Sequence, residues 1–309
     1  MTQAKISVII PVFDEEQVLP RLFERLVPVM EGMGRDYEVV LVDDGSRDRS
    51  LEIIRSHAGD RVRVVELSRN YGQHSAVFAG FETSTGEILI TMDADLQNPP
   101  EEIPRLVNTM ETGNFEVVGT VRKLRKDSIL RRVPSRIINA ITRRITGVNL
   151  TDWGCMLRAY RRHVVEYMLS SREHSTFIPA LATSFAKDIT EIEVKHEERF
   201  AGESKYSLAK LISLHFDLVT SFSEFPLKFM LYTGFFLAFL GIGFGVLLAV
   251  ARLYFGAVWA AEGVFTLFAV LFFFVGAQFL AFGVMGEYVG RIYREVKHRP
   301  PYTIRRTYP

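Results

Sequence analysis

Cysteine is almost absent from this sequence, since Cys155 is the only one among 309 residues. A single thiol excludes an internal disulfide, and such low cysteine usage fits a protein of a reducing compartment. The seven histidines are scattered along the chain, and without paired cysteines they give little support to a zinc site. Disulfide-scaffold and zinc-binding classes are therefore poor explanations of this chain.

Two nucleotide-binding signatures are also missing. The sequence contains no Gly-x-x-x-x-Gly-Lys-[Ser/Thr], which excludes a P-loop enzyme, and no Gly-x-Gly-x-x-Gly follows the first strand pattern, which argues against a dinucleotide fold. The start MTQAKISVII has no apolar leader, so no cleaved signal peptide is expected. The net charge of +1 indicates little by itself, because the basic residues are unevenly spread.

Charge is absent from two long stretches near the carboxyl terminus, residues 229–251 and 263–286. An uncharged apolar run of about 20 residues is long enough to cross a bilayer as a helix. The alternative is a pair of buried soluble helices, but neither run has a polar face. The sequence therefore predicts a transmembrane hairpin within residues 227–289.

Basic residues flank these runs on one side. The segment after the second run carries Arg291, Arg294, Lys297, Arg299, Arg305 and Arg306, whereas the loop between the runs carries only Arg252. Because Lys and Arg concentrate on the cytoplasmic side of spans, we expect both termini to be cytoplasmic, with residues 290–309 as a basic tail.

What the amino-terminal part contains is an alternation of short β-rich runs and helical patterns. Strands are predicted at residues 6–12, 37–43, 62–67, 87–92 and 115–121. Helices are predicted at about residues 16–33, 48–57, 73–84 and 100–112. The first helix has an apolar stripe, and Asp14 with Gln17 resembles a capping box. Continuous apolar strands alternating with helices predict an α/β domain with a mostly parallel sheet covered on both faces.

Acidic side chains follow three of the predicted strands. These strand ends read Phe13-Asp14-Glu15-Glu16, Asp43-Asp44 and Asp93-Ala94-Asp95. Ligands of parallel sheets bind at the carboxyl ends of the strands, whereas helix capping explains one acid per turn but not doublets. The pattern favours a functional acidic edge.

Asp93 and Asp95 are spaced so that both can reach one hard cation, with the Gln97 amide oxygen as a further ligand. Mg²⁺ or Mn²⁺ bound by few carboxylates completes its shell with water and phosphate oxygens, and can neutralise a diphosphate leaving group. Asp43 and Asp44 are candidates to accept the N–H of a pyrimidine. An Asp-x-Asp alone is a weak motif, and its position at a strand end strengthens it.

From Arg122 the chain becomes strongly basic. Residues 122–146 hold nine Lys and Arg but one acid, Asp127, with apolar residues at helical spacing. A basic amphipathic helix of this kind lies on an anionic membrane surface. A solvated basic face is the plainer alternative, and nucleic-acid binding is less favoured because the apolar runs indicate a membrane. Residues 207–226 are a second amphipathic segment, predicted as an interfacial helix.

Several segments together resemble the polyprenyl-phosphate branch of the family-2 glycosyltransferases, which have the GT-A (Rossmann-like) fold. They are VIIPVFDEE, VDDGSRD, DADLQNPPEEIPRL, GTVR and GESKYS. The match narrows with SRNYGQHSAV, DWGCMLRAYRRHVV, HSTFIPALA, WAAEGVFTLFAVLF and GEYVGRIY, which are similar to the subgroup that transfers 4-deoxy-4-formamido-L-arabinose in lipid A modification and polymyxin resistance. The resemblance covers nearly the whole chain.

The resemblance implies a cytoplasmic catalytic domain at residues 1–206, a UDP-sugar donor, Mg²⁺ or Mn²⁺, and an undecaprenyl phosphate acceptor. It also implies a multi-pass protein of the bacterial inner membrane that binds membrane lipid and forms a homo-oligomer, with a tetramer favoured, and no nucleic-acid partner. The implied catalytic residues are Asp95, Asp152 and Arg199, and the implied metal ligands are Asp93, Asp95 and Gln97.

The resemblance also assigns two binding sets. The nucleotide set is Pro11, Phe13, Glu15, Asp43, Asp44, Asp93 and Ala94, and the phosphate and acceptor set is Arg122, Arg131, Ser135, Arg199, Ser204 and Lys205. Phe13 replaces a tyrosine common at this position in the family, so a hydroxyl contact is lost. Asp152 is expected either to act as a base or to orient a substrate, and an inverting transfer is expected.

Three alternatives remain open at this point. The transferred sugar is glucose, galacturonate or another sugar in the first, and the protein is a membrane nucleotide-sugar-binding protein without turnover in the second. The third is a processive polysaccharide synthase, but the Gln-x-x-Arg-Trp motif and the additional membrane helices of that class are missing from this sequence.

Overall fold

The computed structural model describes residues 4–122, 154–171, 177–197, 225–255, 264–297 and 300–309. The chain divides into two compact units, Met1–Leu211 with Pro300–Pro309, and Ile212–Arg299. The basic segment beyond Arg122 and the predicted interfacial helix up to residue 224 lie outside the described residues, so both stay predictions.

The first unit is built on a mixed, mostly parallel sheet. Its strands are β1 (Ile6–Val12), β2 (Tyr37–Asp43), β3 (Val62–Leu67), β4 (Ile88–Thr91), β5 (Val117–Arg122), β6 (Arg158–Arg161), β7 (Ile189–Val194) and β8 (Ile304–Tyr308). Across the sheet they run in the order β7-β5-β6-β4-β1-β2-β3-β8. β6 is antiparallel to β4 and β5, and β8 is antiparallel to β3. The five predicted strands are β1 to β5, each within about two residues of its predicted bounds.

Helices cover both faces of this sheet. They are α1 (Leu19–Gly32), α2 (Ser50–Ser56), α3 (Gln73–Thr83), α4 (Ile103–Thr112, after a 3-10 turn at Pro100–Glu102), α5 (Arg162–Ser170) and α6 (Ile178–Phe185). One apolar cluster joins α1, α2 and α4 to the sheet, and the other joins α3, α5 and α6 to it. In β1, Val8 and Ile10 enter the first cluster while Ile9 enters the second, because successive strand side chains point to opposite faces.

The predicted start of α1 is wrong. The helix begins at Leu19, and the residue before it, Val18, makes no side-chain capping bond. Asp14 has a left-handed backbone with φ +54°, and its Oδ1 accepts the Arg47 N–H at 2.7 Å. The capping box with Gln17 therefore does not form, because the Asp14 carboxylate binds the loop after β2.

The second unit contains two long helices, α7 (Phe225–Phe255) and α8 (Val264–Val296). Within them, Leu227–Leu247 and Phe273–Gly290 are apolar and long enough to cross a membrane. Large apolar side chains such as Phe239 and Phe279 are exposed on them. Gly241 of α7 faces Phe274 of α8, where an added Cβ would lie 3.8 Å from Cζ of Phe274, an ordinary van der Waals distance. The predicted pair of apolar helices is present.

The end of the chain is part of the first unit. Residues predicted as a basic tail include β8, which pairs with β3 from Val64↔Tyr308 to Leu67↔Ile304, with a register shift at Glu66/Leu67. The chain therefore leaves the sheet domain for two apolar helices and returns to complete the edge of the same sheet.

Candidate functional site

The ends of β1, β2 and β4 meet at one edge of the sheet, as the acidic pattern predicts. Val12 of β1 is in register with Asp43 of β2, and the Asp44 N–H donates to the Val12 carbonyl at 2.8 Å. On the other side of β1, the Met92 N–H donates to the Ile9 carbonyl at 3.1 Å. The three acidic loops consequently start side by side.

The loops after β1 and β2 hold each other through side-chain bonds to backbone. Oγ of Ser46 accepts the Asp14 N–H at 3.1 Å, and Oγ of Ser50 accepts the Glu15 N–H at 2.8 Å. Oδ2 of Asp48 accepts the Glu16 N–H at 3.2 Å. These bonds keep the end of β1 in place, where the predicted nucleotide residues Pro11, Phe13 and Glu15 are partly exposed.

Asp43 and Asp44 are buried, with 1% and 2% of their surface exposed. Asp43 Oδ2 accepts the N–H of Gly45 at 3.2 Å and of Ser46 at 3.3 Å. Burial raises the pKa of both carboxyls, and the hydrogen bonds they accept oppose that shift. Gly45 has φ +73° and lies against the Arg69 and Asn70 backbone, where a Cβ would approach to 2.7 Å.

Asp44 organises the loop between β3 and α3, residues 68–72. Its Oδ1 accepts the Tyr71 N–H at 2.7 Å, and its Oδ2 accepts the Gly72 N–H at 2.9 Å. Hydrogen bonds to an ionised carboxylate are among the stronger ones in proteins. Asp44 therefore sets the conformation of a neighbouring loop, a role that the sequence pattern did not indicate.

The Asp93–Asp95 segment follows β4 directly. Asp93 is partly exposed, Asp95 is 8% exposed, and the intervening Ala94 is buried. Asp95 Oδ1 accepts the Gln97 N–H at 3.1 Å, and Leu96 has φ +59°. Asp93 Oδ1 accepts a hydrogen bond from the Gln73 side-chain amide at the start of α3. Gln73 is a site residue that sequence reasoning missed, because only the fold brings α3 back over the sheet to the end of β4.

The oxygen atoms that could act as metal ligands at this edge fit a hard divalent cation. Asp93, Asp95 and the partly exposed Gln97 offer oxygen ligands in a turn directly after a buried strand. Among the described residues no group of three or more His, Cys, Asp or Glu side chains is arranged as a metal cage. Two carboxylates are nonetheless sufficient for Mg²⁺ or Mn²⁺ that shares its shell with water and substrate phosphate. The assignment of these residues as ligands stays a prediction.

The predicted phosphate and acceptor set lies mostly outside the described residues. Arg122 ends β5 in register with Val194 of β7. The other members of the set lie outside the described residues; these members are Arg131, Ser135, Arg199, Ser204 and Lys205. The predicted catalytic Asp152 also lies outside them. Their roles remain expectations of the resemblance.

An ion-pair cluster that the sequence did not indicate fixes the segment that leads towards Arg199. Arg25 of α1 donates from Nε and Nη2 to Glu101 at 2.9 and 2.8 Å, and from Nη1 and Nη2 to Glu197 at 2.9 and 3.0 Å. The hydrogen bonds to Glu197 and Glu101 raise the pKa of Arg25. The Glu197 N–H donates to the Gln97 carbonyl at 2.9 Å. This cluster joins the end of β7 to the Asp95–Gln97 turn.

His74, next to Gln73, is partly buried, and its Nδ1 atom is shielded from solvent. Its ring meets the Phe177 ring edge-on, with centroids 5.6 Å apart. Burial lowers the pKa of His74 to about 4, and its Nδ1 has no hydrogen-bond partner in the described part of the chain. His74 is therefore a neutral imidazole at neutral pH.

Comparison with protein families adds a match over the sheet domain. The model of glycosyl transferase family 2 matches residues 7–169, a range that includes the acidic ends of β1, β2 and β4.

Curated relatives match almost the whole chain. The chain is 56% identical over 302 residues to an undecaprenyl-phosphate 4-deoxy-4-formamido-L-arabinose transferase of Edwardsiella ictaluri, covering 97% of this chain and 93% of the relative. It is 53% identical over 305 residues to a transferase of the same name from Klebsiella pneumoniae, with 98% and 93% coverage.

A solved structure shares the fold of the sheet domain. Glucosyl-3-phosphoglycerate synthase of Mycobacterium tuberculosis, in complex with Mn²⁺, UDP-glucose and phosphoglyceric acid, superimposes with a TM-score of 0.51. The likeness covers 71% of this chain and 78% of that one at 20% identity. It confirms the predicted GT-A fold.

Proposed function

This chain belongs to glycosyl transferase family 2, and on that premise we propose that it transfers 4-deoxy-4-formamido-L-arabinose from a UDP-sugar to undecaprenyl phosphate at a membrane. The observation that carries the proposal is the extent of the similarity to the curated relatives, 97% of the chain at 56% identity. That extent includes both the acidic edge of the sheet and the two apolar helices. In this proposal the product serves lipid A modification and polymyxin resistance.

The residues of the sheet edge have distinct tasks in this proposal. Asp93 and Asp95, with Gln97, hold Mg²⁺ or Mn²⁺, which when bound neutralises charge on the diphosphate of the donor. Pro11, Phe13 and Glu15 line the nucleotide pocket beside Asp43 and Asp44. The partial exposure of the β1 end supports this pocket.

The chemistry needs little proton transfer. A phosphate monoester is already anionic near pH 7, so its oxygen attacks the anomeric carbon without a strong general base. A bond forms between that oxygen and the anomeric carbon, and the bond to UDP breaks, with the electron pair leaving on the diphosphate. Attack in line with the leaving group inverts the anomeric carbon. Catalysis then rests on positioning and on charge stabilisation.

The membrane arrangement is part of the proposal. The protein is membrane-associated through α7 and α8, with Arg and Lys enriched after the second helix. We place the sheet domain and both termini on the cytoplasmic side of the bacterial inner membrane. A homo-oligomer, with a tetramer favoured by the family resemblance, completes the proposal.

The test is transfer by the full chain in lipid nanodiscs. Undecaprenyl phosphate, Mn²⁺ or Mg²⁺ and a panel of UDP-sugars are supplied, and both lipid-linked sugar and released UDP are measured. We expect transfer of the formamido-arabinose in preference to glucose and galacturonate. Preference for glucose would replace the sugar assignment, and UDP binding without transfer from any donor would contradict the enzyme assignment.

A further inference from the structure

Residues Tyr302–Tyr308 contain β8 and lie near the carboxyl end of the chain. We call this segment the C-terminal strap. It lies against β3 and α3 of the sheet domain, although the chain reaches it only after α8. Its β8 portion completes the sheet beside β3. The strap therefore links, through the covalent chain, the second apolar helix to the β3–α3 region.

The strap is anchored at both ends by carboxylates, the buried Glu66 and the exposed Glu82. At its far end, Arg305 Nη1 and the Tyr308 hydroxyl donate to Glu66 of β3 at 2.9 and 2.8 Å. At its near end, the Tyr302 hydroxyl donates to Glu82 of α3 at 2.6 Å. Burial and this hydrogen bond raise the pKa of Tyr302. Edge pairing with such anchors indicates a built contact and not a loosely attached tail.

Between these anchors the strap contacts the β3–α3 loop. The Ser68 N–H donates to the Thr303 carbonyl at 3.0 Å, and the Ser68 and Tyr71 hydroxyls lie 2.8 Å apart. Hydrogen bonds from the Ser68 and Thr303 side chains lower the pKa of the Tyr71 hydroxyl. Tyr71 and Tyr302 also pack against the same apolar cluster on this face of the sheet.

The same loop leads directly to the candidate metal ligands. The N–H groups of Tyr71 and Gly72 are bound by Asp44, and the next residue, Gln73, donates to Asp93. The loop is thus held by the strap on one side and by Asp44 on the other, and its final position determines where the Gln73 amide points. A short network of contacts runs from Thr303 to Asp93.

We propose that the C-terminal strap is a positioning element of the donor site: Thr303 and Tyr71 hold the β3–α3 loop so that Gln73 orients Asp93. The proposal rests on the proposed function, because it assigns Asp93 to the donor site. It makes the segment that follows the second apolar helix a requirement for donor affinity.

The central variants are Thr303→Val and Thr303→Ser. Valine removes the hydroxyl and keeps the size and β propensity of the side chain, whereas serine keeps the hydroxyl. Thr303→Val keeps the backbone carbonyl that accepts the Ser68 N–H and removes the hydroxyl that bonds Tyr71. We therefore expect the Kd for UDP with Mn²⁺ to rise about three- to tenfold, the effect of one lost hydrogen bond. Hydrogen exchange should rise in residues 68–73 and not elsewhere in the sheet. Thr303→Ser should restore both values.

Tyr308→Phe is the matched control on the same strand. It removes one strap hydrogen bond, to Glu66, but none to the β3–α3 loop. We expect UDP affinity and exchange at residues 68–73 to stay within about twofold of the wild type. Equal effects of Thr303→Val and Tyr308→Phe would overturn the proposal, because the strap would then act only through general stability. Unchanged exchange at residues 68–73 in Thr303→Val would also overturn it.

The exchange measurement separates this proposal from the proposed function. If the wild-type chain binds no UDP-sugar, the function fails. Exchange at residues 68–73 still reports whether Thr303 orders the loop. If the chain transfers sugar normally while Thr303→Val leaves both affinity and exchange unchanged, the strap proposal fails and the function stands.

Discussion

Asp44 at the end of β2 and Asp93 at the end of β4 lie on the same edge of one sheet but differ in what they bind. Asp44 is buried and gives both oxygens to the backbone N–H groups of the β3–α3 loop. Asp93 is partly exposed and accepts a side-chain amide from Gln73. The first environment fixes a loop, and the second leaves a partly exposed carboxylate, which in our proposal binds the cation.

On this difference we propose that the acidic edge has two functions, loop support and metal binding. A row of acids in the sequence suggests a single ligand site, yet Asp14, Asp44 and Asp48 accept backbone N–H groups of neighbouring loops. Asp43 accepts those of Gly45 and Ser46 in its own loop. Their role as loop supports is a structural observation. A direct contact of Asp43 or Asp44 with the nucleotide stays a proposal, since a carboxylate oxygen can accept more than one hydrogen bond.

The largest expected effect comes from Asp95→Asn and Asp93→Asn. Each change removes a negative ligand with almost no change in shape, so the fold should persist. We expect turnover to fall at least about 100-fold, equivalent to about 2.7 kcal/mol of barrier, and chelation of divalent metal with EDTA to abolish wild-type turnover. Sugar transfer in nanodiscs provides the measurement.

Asp48→Asn is the matched control for these variants. It removes the same charge from the same sheet edge, but Asp48 holds the backbone of Glu16 and Ser50. We expect its turnover to stay within about fivefold of the wild type, because one weakened loop bond costs about 1 kcal/mol. If Asp48→Asn and Asp95→Asn were equally inactive, the general negative field and not a ligand set would explain the loss.

The next effect is on stability, from Asp44→Asn. An asparagine side chain accepts with one oxygen, and its NH₂ group opposes the N–H of Tyr71 or Gly72. Hydrogen bonds to charged groups contribute about 1.5–3 kcal/mol, so we expect a loss of about 2–3 kcal/mol in unfolding free energy. Thermal unfolding measures the loss, and hydrogen exchange should locate it at residues 68–73. A variant as stable as the wild type would remove Asp44 from its loop-supporting role.

A third prediction concerns pH and His74. Its folded pKa of about 4 lies below the ordinary value of 6.5, so the unfolded chain binds the proton more readily between these values. The contribution of His74 to the free energy of unfolding is therefore fully present above pH 6.5 and is lost as the pH falls towards 4. Between pH 7 and pH 5 the loss is about 2 kcal/mol.

His74→Leu should remove that pH dependence. The raised pKa values of Asp43 and Asp44 act in the opposite direction, because their folded forms bind protons more readily. The useful quantity is therefore the difference in unfolding free energy between the wild type and His74→Leu at each pH. A difference that does not change from pH 7 to pH 5 would mean that His74 is not buried as a neutral ring.

The smallest effect is expected from Arg25→Lys, which replaces a planar fork bound to Glu101 and Glu197 by one ammonium group. The two glutamates are about half exposed, so stability should change by less than about 1 kcal/mol. Turnover should fall about two- to fivefold, because Glu197 is bonded to the Gln97 carbonyl.

Arg35→Lys, in the turn that follows the same helix, is its control. Arg35 makes a similar forked pair with Glu111 of α4, at 2.8 and 2.7 Å, and none of the contacts described above joins this pair to the acidic edge. Turnover of Arg35→Lys should match the wild type. An equal loss in both variants would indicate that α1 packing, and not the Gln97 turn, is responsible.

The sequence predicted the elements whose signals are local. β1 to β5 are continuous apolar runs, and the two apolar helices are long uncharged runs, so periodicity and length were sufficient. β6, β7 and β8 were not predicted. β8 has the β-rich sequence Ile304-Arg305-Arg306-Thr307-Tyr308, but its position after a predicted membrane helix and its two arginines favoured a basic tail.

The sequence predicted where the acidic residues of the site lie but not the contacts that they make. Strand ends placed Asp93 and Asp95 correctly at the acidic edge, because parallel strands bring their carboxyl ends together. The capping box of Asp14 failed because a long-range contact with Arg47 replaced a local one. Gln73, Arg25 and Thr303 were missed for the same reason, since their partners Asp93, Glu197 and Ser68 are brought near by the fold.

Cation binding by the full chain is the most direct test of the division between the two ends of the acidic edge. Mn²⁺ affinity in the presence of UDP, followed by electron paramagnetic resonance, is compared for the wild type, Asp95→Asn and Asp48→Asn. We predict at least about tenfold weaker binding in Asp95→Asn, about 1.4 kcal/mol, and wild-type affinity in Asp48→Asn. Unchanged affinity in Asp95→Asn, or an equal loss in both variants, would contradict the assignment of the β4 end as the metal-binding end.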